Sequence, residues 1–139
     1  MEIKSIDEKM RFEDAYYAIG RCAEELYLIS PNIPRVLNQI VANLYGRFDD
    51  AFHHVFLASN TFNLESKVVH LEEAHKCLFF QQSSLYHLVK AHGITVGQCN
   101  NIIDAIREAY GQINRWKNTI LKSENYKAGK SQSVSEVAI

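Results

Sequence analysis

Apolar side chains along this chain recur at steps of three and four residues in four long stretches, the spacing that lines one face of an α-helix. In the first stretch Phe12, Tyr16, Ile19, Ala23, Leu26 and Ile29 form the stripe, and Ser5 with Glu8 has capping-box spacing at its start. The stripe stops at Ser30-Pro31-Asn32-Ile33-Pro34, because proline removes an N–H donor and disfavours helix in the residue before it. Pro34 suits the first turn of the next helix, where that donor has no intrahelical partner.

The second stretch, about residues 34–59, carries Leu37, Ile40, Val41, Leu44, Phe48, Ala51, Phe52, Val55 and Phe56 on a wide arc, which predicts contact with more than one neighbour. Asn63 is placed to cap the third. There Leu64, Val68, Leu71, His75, Leu78, Gln82, Leu85 and Val89 alternate four and three apart, a heptad seam with two polar members. Gly93 is expected at the C′ position, and Thr95 with Gln98 forms a second capping box. Cys99, Ile102, Ile106, Ala109, Ile113, Trp116 and Ile120 then give an unbroken seam. Beyond about Lys122 the periodicity fails, and residues 123–139 read as a disordered polar tail.

Helices of about 25 residues are roughly 37 Å long, and short connections force neighbours to run antiparallel. The expected fold is all-α: an up-down-up-down antiparallel four-helix bundle over residues 1–122. With 6 glycines and 2 prolines in 139 residues, the frequent turns of a β-sandwich or barrel have no supply. Tyr17, Tyr45, Phe62, Phe79, Phe80 and Tyr86 fall away from the tidiest seams, and the expectation is that some of them form a subunit interface.

Charge changes the picture locally. Fifteen basic against 16 acidic residues exclude a protein that coats nucleic acid over its whole surface. Residues 1–34 hold four basic and seven acidic side chains, whereas residues 95–139 hold six and four. Arg107, Arg115, Lys117, Lys122 and the tail lysines therefore offer a phosphate-contacting edge, with Trp116 or Tyr126 nearby as stacking groups. Cys22, Cys77 and Cys99 are widely spaced and odd in number, which suits reduced thiols. No apolar run reaches bilayer-spanning length and the start lacks a signal-type apolar region, so the expected location is the cytoplasm, with no membrane partner.

Candidate chemistry is thin. Di-iron bundles need Glu-x-x-His on two helices and a glutamate from each of the others. Here Glu72-Glu73-Ala74-His75 occurs once and Asp50-x-x-His53 is an imperfect second copy, so neither a metal nor another cofactor is expected. Arg47 and His53 on one helix resemble the Arg-x(4–6)-His pattern of HEPN ribonucleases, in which arginine would stabilise phosphorane charge and histidine move the proton. Phe48 stands where that pattern usually has a polar residue. No phosphate loop or nucleophile triad is present, and no catalytic residue is expected.

Leu26-Tyr27-x-Ile29-x-x-Asn32-Ile33-Pro34-Arg35 resembles the first interhelical junction of the accessory variability determinant proteins of diversity-generating retroelements. Gly93-Ile94-Thr95 with Gln98, and Glu108, Ile113 and Trp116, resemble the opening and end of that family's last helix. The resemblance spans about residues 10–121. It implies a four-helix bundle assembled as a homopentameric barrel, akin to intervening-sequence 23S rRNA bundle proteins. It also implies binding to the retroelement reverse transcriptase and its template RNA or DNA, in support of error-prone cDNA synthesis without catalysis by the bundle itself. The family's basic positions late in the third helix correspond to Ser83 and His87 here. Nucleic-acid contact is therefore expected from Arg35, Arg107, Arg115, Lys117 and Lys122. The alternative is a stand-alone intervening-sequence-type bundle.

Overall fold

A computed structural model describes residues 6–123 and 125–128 and shows four long helices. They are α1 (Ile6–Ile29), α2 (Asn38–Asn60), α3 (Leu64–Lys90) and α4 (Val96–Leu121). Helix α1 packs against α2 and α4, and α3 packs against the same two, so the four stand at the corners of a square with antiparallel neighbours. This is the expected all-α bundle, and no strand occurs among the described residues. The α1–α2 side is the thinnest of the four seams.

Helix α4 follows its sequence closely because every level of signal agrees. Thr95 Oγ1 accepts from the Gln98 amide at 3.0 Å while Gln98 Oε1 accepts from the Thr95 amide at 2.9 Å, completing the capping box. All seven seam residues from Cys99 to Ile120 are buried. Each isoleucine among them contributes about 1.5–3 kcal/mol of burial free energy. Asn63 likewise caps α3, its Oδ1 accepting from the Ser66 amide at 3.0 Å. Ser5, the partner expected for Glu8, lies outside the described residues.

Helix α3 departs from expectation by a rotation of part of a turn. Ala74, Gln81 and Leu88 are buried where His75, Gln82 and Val89 were expected to be. Two polar contacts hold this rotation. Gln81 Nε2 donates to the Leu44 carbonyl at 2.7 Å, and Lys67 Nζ donates to the Ala58 carbonyl at 2.7 Å, both reaching into α2. Burial of these groups is tolerated because each has a partner.

The α1–α2 junction comprises two 3-10 turns, Ser30–Asn32 and Arg35–Leu37, with Ile33 buried between them. Pro34 lies before the second turn in an extended conformation (φ −55°, ψ 141°) instead of inside the first helical turn. At the end of α3, His92 takes the left-handed conformation (φ 61°), a role expected of Gly93. His92 N donates to the Val89 carbonyl (3.0 Å) and Gly93 N to the Leu88 carbonyl (2.8 Å), so Gly93 occupies the C″ position of a Schellman motif. Glycine leaves room there for Leu37: a Cβ would stand 2.5 Å from Leu37 Cδ1 and would displace that side chain's end. The α1–α2 and α3–α4 junctions thereby interlock at one end of the bundle, here called the top.

Of the expected disordered tail, residues 125–128 form a helical turn with Tyr126 packed on the core, while residues 129–139 lie outside the described residues. Among the described residues, no helix is long and apolar enough to cross a membrane.

Candidate macromolecular interface

Five basic residues were expected to contact nucleic acid, and the bundle spreads them along its whole length. Arg35 begins the second 3-10 turn at the top and is exposed. Lys122 is the C-cap of α4 at the base, about 39 Å away along a 26-residue helix. Arg107, Arg115 and Lys122 are exposed and leave α4 within about 80° of one another. Asp104 and Glu108 occupy the same stripe, so its first half is mixed in sign, whereas α4 carries no acidic residue after Glu108. Lys117 points elsewhere. It is half-buried on the side facing α3, where its charge, after burial, helps hold the neighbouring His75 imidazole below its ordinary 6.5.

The expected stacking groups are also displaced. Trp116 is 1% exposed, its ring edge-on to Phe12 at 6.3 Å, and offers no face to a nucleobase. Tyr126 packs on the core. Both residues were placed near the basic edge by their numbers, but the periodicity that makes Trp116 a seam residue also buries it.

Exposed aromatic side chains are a clearer surface feature. From Phe12 a ladder runs outward to Tyr16 (ring centroids 5.7 Å apart), and from Tyr16 to Phe52 of α2 (5.1 Å) and Tyr17 (5.8 Å). Tyr17 is 70% exposed. On α3, Phe79 and Phe80 stand 5.8 Å apart, both about half exposed, with Tyr86 one to two turns further along. Of the aromatics expected at an interface, Tyr17, Phe62, Phe79, Phe80 and Tyr86 are exposed. Tyr45 is half-buried, and its hydroxyl donates to Ser30 Oγ at 3.2 Å.

The catalytic and metal patterns separate in space. Arg47 and His53 are both exposed and leave α2 about 120° apart, since six residues turn a helix through about 240°. His75 turns from the core to lie against Tyr110 of α4, with ring centroids 5.0 Å apart. No group of three or more His, Cys, Asp or Glu side chains able to hold a metal occurs among the described residues. The groove between α1 and α4 is open and polar, lined by Arg21, Glu25, Asn101, Asp104 and Glu108.

Sequence reasoning missed four polar residues: Lys67, Gln81, and His54 with His70, whose Nδ1 atoms are 3.2 Å apart. Only pairing between helices marks them, and no spacing within one helix reveals it. Comparisons of the chain with protein families, with curated proteins and with solved structures return no match.

Proposed function

We propose that this protein is a non-catalytic accessory protein of a diversity-generating retroelement, a self-associating bundle that binds the reverse transcriptase. Template RNA or DNA meets the basic base of α4. The observation that carries the reading is the exposed aromatic surface: Tyr16, Tyr17 and Phe56 on α1 and α2, and Phe79, Phe80 and Tyr86 on α3. Such side chains gain free energy when another macromolecule covers them, and aromatics dominate the energetics of protein interfaces. The junction string from Leu26 to Arg35 supplies the polymerase as the partner, by resemblance. The pentamer is proposed on the same ground. Arg115 and Lys122, beyond the last acidic residue of α4, are the favoured phosphate contacts, with Arg107 next and Lys117 and Arg35 peripheral.

The test is co-purification of the full chain with a diversity-generating-retroelement reverse transcriptase, followed by light scattering and a salt titration of RNA binding. Expected are a complex, an oligomeric mass, and loss of one or both on Tyr17→Lys or Phe80→Lys. Arg115→Gln and Lys122→Gln should each lower the salt slope by about one. A concentration-independent monomer that captures no polymerase overturns the proposal. RNA binding without salt dependence overturns its nucleic-acid part.

A further inference from the structure

His54 on α2 and His70 on α3 face each other across the helix seam, both half-buried, with Nδ1 atoms 3.2 Å apart and ring planes tilted by 33°. A neutral imidazole has one N–H and one lone pair, so a hydrogen bond across this gap requires opposite tautomers. If both rings carry their proton on Nε2, two lone pairs meet instead, and the gap suits a cation. Zn–N bonds of about 2.0–2.1 Å in tetrahedral geometry place two ligand nitrogens about 3.3–3.4 Å apart. The observed separation is within about 0.2 Å of that edge. With ring centroids 5.5 Å apart the two nitrogens meet nearly head-on, so the hairpin presents a bidentate pair at the right separation, and seating an ion beside the N···N line requires each imidazole to turn about its ring bond.

We propose that His54 and His70 form a transition-metal clamp across the α2–α3 hairpin, taking a borderline divalent ion such as Zn²⁺ through their two Nδ1 atoms. Imidazole suits Zn²⁺, Cu²⁺ and Ni²⁺ and is a poor ligand for Mg²⁺ or Ca²⁺. His70 also lines an open groove with Asn63, Glu65, Ser66 and Val69, so the α3 side of the pair borders solvent. With two protein ligands in place of four, the site is exchangeable and does not hold the fold together. The ion binds the folded hairpin and not the separated helices, so it stabilises the native state in proportion to its concentration. Protons compete for the same nitrogens, so binding weakens as pH falls.

The experiment uses metal-free full-length protein titrated with ZnCl2 by calorimetry, with thermal unfolding with and without Zn²⁺. Expected are one saturable equivalent, a raised unfolding midpoint with Zn²⁺ and none with Mg²⁺, and binding weakened about tenfold or more by His54→Ala or His70→Ala. His53→Ala and His92→Ala should bind as the parent does. Should a ligand variant fail to fold, ¹⁵N spectra of the parent imidazoles decide, since Zn²⁺ must shift the Nδ1 resonances of His54 and His70 together. Absence of a saturable Zn²⁺ effect, or one that survives both ligand substitutions, overturns the proposal.

Discussion

Lys67 Nζ lies 2.6 Å from the Glu8 carboxylate, linking the first turns of α1 and α3 diagonally across the base of the bundle. The same ammonium donates to the Ala58 carbonyl near the end of α2, so one side chain joins three helices. A cation at that helix end also opposes the negative pole of its dipole. Lys67→Met should cost about 1–3 kcal/mol, because it leaves a buried carbonyl without its charged donor. Glu8→Gln should cost less, about 1 kcal/mol, since its side chain is partly solvated and the amide oxygen can still accept from the buried Lys67 ammonium. Urea unfolding measures both; equal losses would assign the effect to the ion pair and not to the Ala58 bond.

The end of α3 gives two neighbouring substitutions of opposite sign. His92→Gly should stabilise by about 0.5–1 kcal/mol, because glycine adopts the left-handed conformation without the penalty that a Cβ brings. Gly93→Ala should destabilise by about 1–2 kcal/mol through the clash with Leu37. Combining Gly93→Ala with Leu37→Ala should cost less than the sum of the two single changes, and a double-mutant cycle reads the difference.

His75 predicts an acid-side pH dependence. Burial first, and the Lys117 charge second, hold its imidazole below 6.5 in the folded protein. The unfolded chain therefore takes up the proton first as pH falls below 6.5. The stability from keeping His75 neutral is present above that value and lost below it. Lys117→Gln should raise the His75 midpoint in an NMR titration; an unmoved midpoint would leave burial as the sole cause.

Cys22 sets the alkaline side. Burial pushes its thiol from 9.0 up to about 12, so above pH 9.0 the unfolded chain ionises first and stability declines toward pH 12. Cys22→Ala should remove this part of the decline in a pH series of denaturation midpoints. Alkylation followed by mass spectrometry should label the half-buried Cys77 ahead of Cys22, which reacts only as the bundle opens.

How far the sequence spoke depended on whether one helix sufficed to decide the question. In α4 a capping box, a single apolar stripe and a polar outer face agree, and every seam residue from Cys99 to Ile120 is buried. In α3 the apolar arc is broad and interrupted, so His75 and Ala74 compete for the core by a margin set outside the helix. Gln81 and Lys67 win their places by bonding to α2 carbonyls that no α3 pattern contains. The basic residues behave likewise. Their order along α4 was readable, but their usefulness to a phosphate backbone depends on neighbours such as Asp104 and on Lys117 facing α3. His54 and His70 sit 16 residues apart on separate helices, and their meeting follows from the hairpin register alone.

Trp116, the single tryptophan of the chain, is wedged between α4 and Phe12 of α1 with 1% of its surface open to water. Its fluorescence is therefore an unlabelled gauge of whether α1 and α4 stay together. Self-association, polymerase capture and metal binding at His54 and His70 would all leave that signal still, whereas any partner that works by prising the bundle apart would redden it at once.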